Sequence, residues 1–203
     1  MLLNHKHVIH MKKTSLIILA VVFSITAFGQ NQSQHLTFKG VPIDGTRKTF
    51  VANMQQKGFT LLGTQEDVTL LSGDFAGYKN CTLGVTTLKN KDVVSTIGVV
   101  FPTCKDWASV ENNYSNLKSM LSEKYGEPAW SVEEFQNRTP RDDNNKYYEL
   151  SMNRCNYASL FEVANGSIEL MISHETLTGA YVLLRYIDKI NGDVVRQAAM
   201  DDL

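Results

Sequence analysis

The residues of this chain best suited to covalent chemistry are three cysteines, Cys81, Cys104 and Cys155. In an oxidising compartment an odd number of cysteines allows one disulfide and leaves one thiol unpaired. Cys81 and Cys155 each follow a polar stretch and begin a strand-like run, and this shared setting favours a bridge between them. Three pairings are open, and three reduced, buried thiols are an equal alternative, because free cysteine is among the most buried residue types.

A catalytic cysteine also needs a base, and after residue 29 the chain contains only His35 and His174. His174 precedes Glu175 in a connection between two strands, which favours a structural histidine in an exposed turn. The two histidines show no local metal-ligand spacing, and residues 142–145 lack the alternating ligands and the glycine of a calcium loop. The sequence therefore predicts no catalytic residue, no metal ligand and no cofactor site, and an enzyme is not the favoured interpretation.

A candidate contact surface lies at Tyr147 and Tyr148, directly after the polar stretch 136–146, which we expect to be a loop. Residues 147–152 have the pattern of a strand, and neighbours on a strand point to opposite faces, so one of the two tyrosines must face outward. An exposed tyrosine beside a loop is suited to contact with a protein or a glycan.

Hydrophobic periodicity predicts an α+β fold for residues 30–203. Apolar residues three or four apart favour a long helix at Trp107–Tyr125, with Asp106 as its cap and Gly126 as its stop. Shorter helices are expected after Thr46 and over residues 191–200. Alternating and β-branched runs predict the strands, which cover residues 59–62, 68–75, 82–88, 93–101, 129–135, 147–152, 157–163, 168–173 and 180–187.

The order of these elements predicts two antiparallel meander-and-helix repeats, residues 36–103 and 104–203, within a single domain. Each repeat contains a helix and about four strands, and a C-terminal helix follows. The two halves share little sequence identity, so coincidence is the alternative explanation. We expect a layered sheet with helices on one face, whose other face must meet solvent, a second sheet or a partner.

The N-terminus has the three parts of a secretory signal peptide. Lys12 and Lys13 precede the uncharged, mostly apolar run 14–28, and small residues stand before Gln30. We therefore assign residues 1–29 to a signal peptide and expect export to the periplasm or the cell exterior. Met11 is the more natural start, which makes residues 1–10 a candidate gene-model extension. A retained anchor is the alternative, but the run is short for a bilayer span, which needs about 20 apolar residues.

Composition narrows the class of function. The net charge is −1 at pH 7, and loss of the three lysines in residues 1–29 lowers it to −4. This mild acidity argues against nucleic-acid binding, which usually requires a basic patch. We therefore favour an exported, non-catalytic binding module that contacts an envelope protein or a glycan through an exposed sheet face. A secreted hydrolase with a site assembled from distant residues and a structural assembly factor are the alternatives.

Four short motifs carry a resemblance: FKGVPIDGT at residues 38–46, GDFAGY at 73–78, KYGEP at 124–128 and YIDKIN at 186–191. With them the chain resembles a family of uncharacterised secreted proteins from Bacteroidetes bacteria, over most of residues 30–203. The resemblance implies a bacterial, exported protein and implies no activity. The helix-and-strand repeat is also similar, as a fold only, to tandem β-lactamase-inhibitor-like domains, and a fold does not determine function.

Overall fold

The computed structural model describes residues 35–88, 91–176 and 179–201. They belong to one compact unit, Ser33–Leu203. The expected signal peptide at residues 1–29 lies outside the described residues. Among those that are described, no helix combines the length and the apolar character needed to cross a membrane.

The fold is α+β with a large antiparallel sheet, as the sequence predicts. Its helices are α1 (Arg47–Gln56), α2 (Trp107–Tyr125), α3 (Asp143–Ser151) and α4 (Lys189–Asp201). Its strands are β1 (Thr37–Phe38), β2 (Val41–Pro42), β3 (Thr60–Gln65), β4 (Val68–Phe75), β5 (Tyr78–Thr87), β6 (Val94–Val100), β7 (Trp130–Phe135), β8 (Cys155–Val163), β9 (Gly166–Thr176) and β10 (Gly179–Asp188).

Strands β3 to β10 form one sheet in the order β3-β4-β5-β6-β10-β9-β8-β7, while β1 and β2 form a separate two-stranded ribbon. Consecutive strands are neighbours within each half, so the chain forms two four-stranded meanders. The last strand of each meander, β6 or β10, pairs with the other in the centre of the sheet. Strands β3 and β7 therefore lie at the two edges.

Helix α2 shows how closely local sequence determines an element. Its bounds, Trp107–Tyr125, are those that the apolar spacing predicts. The Asp106 carboxylate accepts a hydrogen bond from the Ser109 backbone N–H at 2.8 Å, which satisfies a donor that the first turn leaves unpaired. Gly126 ends the helix with φ +90°, a backbone conformation that glycine adopts without strain.

The strand expected at residues 147–152 is wrong, because residues 147–151 belong to helix α3 and Met152 is its C-cap. The helix begins inside the expected loop, where the Asp142 carboxylate accepts from the Asn145 backbone N–H at 3.0 Å. The buried residues Tyr147 and Leu150 are three apart, as one face of a helix requires. Asp142 thus caps the helix, and the loop expected at residues 136–146 is confined to residues 136–142.

Asn165 followed by Gly166 is a sequence typical of a type I′ hairpin turn, in which both residues have positive φ. A hairpin is present here, but its glycine has another role. Val163 pairs with Gly166, so Ala164 and Asn165 form the turn. A Cβ atom on Gly166 would collide with the backbone carbonyl oxygen of Ile187. The glycine is therefore required by the close approach of two backbones and not by a positive φ.

The sheet has two faces of different character. Large apolar side chains at alternating positions are buried on one face, which we call the covered face. One row of register partners crosses five strands on this face: Leu71, Leu83, Val99, Leu184 and Leu170. Helix α1 contacts β3 and β5, α2 and α3 contact β8 and β9, and α4 contacts β6 and β10. The intervening side chains point to the opposite face, which we call the open face.

Candidate functional site

The open face carries a row of apolar side chains that crosses five neighbouring strands, from the β7 edge to the centre of the sheet. All five side chains are only partly buried. In register order they are Val132, Ala158, Met171, Leu183 and Val100. Because strand side chains alternate, the same strands place Leu184 and Leu170 in the core. This row is the apolar centre of the candidate site.

A second row on the open face combines charge with apolar surface. Trp130, on the edge strand β7, is 51% exposed and pairs with Leu160. Next in register, Glu169 and Arg185 form an ion pair on adjacent strands. The Arg185 Nε atom is buried and has no hydrogen-bond acceptor among the described residues. The centre of this face thus presents a guanidinium group that has an acid as one register neighbour and Gly98 as the other.

Two glycines continue the second row beyond Arg185. Gly98 pairs with Arg185 on one side and with Gly84 on the other. A Cβ atom at either position would make only ordinary contacts, the nearest being 3.5 Å from Val68 at Gly84. Packing of this chain alone therefore does not require glycine here. The two residues leave a shallow trough in the open face, with Arg185 on one side and Leu70 on the other.

His35 lies close to two carboxylates, and its contacts connect parts of the chain that are distant in sequence. Its Nδ1 lies 3.1 Å from Asp188 Oδ1 and its Nε2 lies 3.5 Å from Asp44 Oδ2. The buried Asp188 carboxylate also accepts from the backbone N–H groups of Leu36 at 2.7 Å and Asn191 at 2.8 Å. Both imidazole nitrogens thus face carboxylates, whereas nucleophilic catalysis requires one of them to face a hydroxyl or thiol.

The sequence suggests that His174 lies in an exposed turn, but the structure places it in a strand. It is half-buried within β9 and pairs with Ala180 of β10. Across the described part of the chain, no group of three or more His, Cys, Asp or Glu side chains is arranged to hold a metal ion.

The expected disulfide between Cys81 and Cys155 is not formed, and all three cysteines are free thiols. Cys81 lies on β5 and Cys155 on β8, with three strands between them. At about 4.8 Å per strand this separation is roughly 19 Å, whereas a disulfide joins Cα atoms about 4.4–6.8 Å apart. Both residues begin strand-like runs, but the strand order decides which runs are neighbours.

Burial makes the three thiols poor nucleophiles. It raises the pKa of Cys81 and of Cys104, and it raises the pKa of Cys155 to about 12. The thiolate is the reactive form, so a raised pKa lowers reactivity at neutral pH. Cys104 Sγ accepts a hydrogen bond from the Asn113 side-chain amide at 3.3 Å, and no imidazole contacts it among the described residues. The arrangement is that of structural cysteines.

The two candidate contact tyrosines are separated by helix α3. Tyr147 is buried against Trp107 and its hydroxyl donates to the Cys104 carbonyl oxygen at 3.4 Å. Burial raises the pKa of Tyr147 to about 12. Tyr148 is 47% exposed and lies under the guanidinium of Arg154, whose carbon is 5.4 Å from the ring centre. Only Tyr148 is therefore accessible, and its ring is already occupied by a neighbour.

An exposed sheet face was expected from the sequence, but the residues that form it were not identified, although a signal for them exists. Strand β10 contains the apolar run Tyr181, Val182, Leu183 and Leu184. An antiparallel strand with one buried face needs an apolar residue only at every second position. A run of four therefore indicates apolar surface on both faces, and the register shows that Leu183 and Met171 share the uncovered one.

Comparison of the chain with protein-family models, with curated proteins and with solved structures finds no match.

Proposed function

We propose that this protein is an exported, non-catalytic binding module of the bacterial envelope and that its open face docks a protein partner. The observation that carries the proposal is the row of five partly exposed apolar side chains on the open face, from Val132 to Val100. Soluble monomers rarely expose contiguous apolar patches larger than a few hundred Å² unless the patch binds something.

The dimensions of the open face support a protein as the partner. Eight strands spaced about 4.8 Å apart make a face roughly 34 Å wide. A standard protein interface buries about 800 Å² on each partner. The open face is thus wide enough for a complete interface of ordinary size, whereas a glycan chain would occupy a narrow part of it.

The distribution of polar groups supports the same conclusion. An interface typically has an apolar centre, few charges there, and aromatic and arginine residues as its strongest contacts. Arg185 lies in the middle of the open face and Trp130 at its β7 edge. We infer that the partner supplies an acceptor for Arg185 and a small protruding element for the trough at Gly84 and Gly98.

The proposed fold of the module is a pair of repeats with all helices on the covered face. Helix α1 reaches that face through Arg47, whose Nη2 donates to Thr87 Oγ1 at 3.0 Å. Helix α2 reaches it through Tyr114, whose hydroxyl shares a hydrogen bond of 2.6 Å with Ser159 Oγ. These contacts support helices on one side only, which leaves the other side for a partner.

The repeats at residues 36–103 and 104–203 correspond in our proposal to α1 with β3–β6 and to α2 with β7–β10. The two meanders meet through their last strands, which is the arrangement that two related halves would produce. Helix α3 between β7 and β8 is then an insertion in the second half. Export itself rests on the N-terminal signal of residues 1–29.

The test compares two Met→Glu variants of residues 30–203. Met171 lies in the apolar row of the open face, and Met120 is exposed on helix α2. Each immobilised variant is incubated with native envelope extract, cross-linked mildly and analysed by mass spectrometry. We expect a reproducible protein partner that Met120→Glu retains and Met171→Glu loses, while circular dichroism shows both variants folded.

Retention of the partner by both variants would place binding elsewhere and overturn the proposal. Capture of nothing but glycan, assayed in parallel on a glycan array, would overturn the choice of a protein partner.

A further inference from the structure

The two edges of the sheet are protected very differently. Strand β7 carries the exposed acids Glu133 and Glu134, and charged side chains on an edge discourage pairing with another strand. Strand β3, with the sequence TLLGTQ, has no charged residue and no proline. All six of its residues are exposed, with Leu61 at 45% and Leu62 at 60%. Within the described part of the chain, β3 pairs with β4 alone.

A cleft lies beside β3 on the side of helix α1. Its volume is about 810 Å³, within the range of ligand-binding pockets. Val51 and Ala52 of α1 and Leu61 of β3 contribute its apolar lining. Lys48 and Lys91 are exposed at its margin.

A second cleft borders the same strand and contains Thr60 and Leu62. Its volume is about 680 Å³, and Lys39 and Lys57 contribute to its lining. Leu61 thus lines one cleft and its neighbour Leu62 lines the other. An extended peptide that paired with β3 would alternate its side chains in the same way, and so would direct successive residues into the two clefts.

The charges around β3 identify the kind of peptide that fits. Two of the acids in the cleft linings already form ion pairs: Asp92 Oδ1 lies 3.8 Å from Arg47 Nε, and Asp74 binds Lys79. Asp67 is the remaining acid in the lining of the α1-side cleft. The exposed lysines, two at each cleft, therefore leave the surroundings of the strand attractive to acidic side chains.

We propose that β3 is a second binding site of this protein. It accepts, as an additional strand of the sheet, an extended peptide in which apolar and acidic residues alternate. The backbone N–H and C=O groups at the free edge supply affinity, and the two clefts supply specificity. A second copy of this chain fits less well, because β3 contains no acidic residue to face the lysines. The site lies at the β3 edge of the sheet, away from the apolar row that runs from β7 to β6, and it stands independently of that row.

The experiment pans a display library of random linear dodecapeptides against residues 30–203. We expect enriched sequences that alternate apolar and acidic residues, and the most enriched one is synthesised as the probe. Hydrogen exchange with and without that peptide should show slower exchange in Thr60–Gln65. Protection at this edge is the signature of strand addition, because a ligand of the open face would instead protect the central strands.

Two variants test the contacts. Leu62→Glu removes an apolar side chain and repels acidic peptides, so we expect the affinity for the probe to fall at least about tenfold. Glu134→Lys is the matched control on the opposite edge and should leave the affinity unchanged.

Three results would overturn the proposal: no enrichment of peptides, protection confined to β6 and β10, or equal binding by wild type and Leu62→Glu. A dimer in sedimentation that Leu62→Glu converts to a monomer would show that β3 instead pairs with a second copy.

Discussion

The two faces of the sheet are built from alternate residues of the same strands, yet their side chains differ in burial. On the covered face, Leu184 is 1% exposed and packs among other buried leucines and valines. One residue earlier, Leu183 points to the open face and remains partly exposed. Adjacent residues of similar chemistry therefore contribute to different properties: the covered face contributes to stability, and we propose that the open face contributes to binding. Paired substitutions on the two faces test this difference.

The largest contrast concerns thiol reactivity. Burial raises the pKa of Cys155 from 9.0 to about 12, so its thiolate fraction at pH 8 is about a thousandfold below that of an ordinary thiol. We expect Cys155 to react with iodoacetamide about a thousandfold more slowly than a thiol introduced on the open face by Thr96→Cys. Peptide mass spectrometry of timed samples gives both rates, and similar rates would show that the two faces are equally accessible.

The same shift predicts a loss of stability in alkali. Because the pKa of Cys155 is raised in the folded state, the neutral thiol contributes to the free energy of unfolding. This contribution is fully present below pH 9 and is lost as pH rises toward 12. Urea unfolding between pH 7 and 11 measures this decline, which Cys155→Ala should reduce.

Leucine truncation gives the next largest contrast. Leu184→Ala leaves a cavity in the core, and we expect the free energy of unfolding to fall by about 3 kcal/mol. Leu183→Ala removes a partly exposed side chain, and we expect a loss below about 1 kcal/mol. Urea denaturation followed by circular dichroism measures both. Equal losses would mean that the open face is packed as tightly as the covered one.

Asp188 shows how a carboxylate is tolerated on the covered face. It accepts from the Leu36 and Asn191 backbone N–H groups and contacts His35. Asp188→Ala leaves these buried donors without an acceptor, so we expect a loss of about 2 kcal/mol. Asp193→Ala removes an exposed carboxylate on α4 and should change stability by less than about 0.5 kcal/mol. Thermal unfolding measures the stability of both variants. An Asp188→Ala variant as stable as the wild type would show that the Asp188 hydrogen bonds are not needed for stability.

The smallest contrast is between two tyrosine hydroxyls. The Tyr114 hydroxyl is buried and hydrogen-bonded to Ser159, so Tyr114→Phe should cost about 1 kcal/mol. Tyr181 points to the open face, where water can replace any partner, and Tyr181→Phe should be neutral within about 0.5 kcal/mol. Denaturation midpoints measure the stability of both variants. A larger loss of stability for Tyr181→Phe than for Tyr114→Phe would contradict the assignment of the buried hydroxyl to the covered face.

Much of the local structure was predictable because neighbouring residues determine it. Asp106 and Gly126 cap α2 as expected, and the apolar spacing between them gives the helix its buried face. Segment 147–152 was predicted as a strand because a short apolar pattern fits the period of a strand as well as that of a helix. The residue that indicates a helix, the N-cap Asp142, lies outside this segment. Gly166 was assigned to a turn since its real constraint, the Ile187 carbonyl, is 21 residues away.

The candidate site was less predictable because it depends on which strands become neighbours. The α+β class, the long helix and most strands could be predicted from the amino-acid sequence, since they follow from local periodicity and residue type. The pairing of β6 with β10, the distance between Cys81 and Cys155, and the shared face of Leu183 and Met171 became visible in the three-dimensional structure alone. Strand order and register are long-range pairings between distant residues, and no local pattern in the chain encodes them.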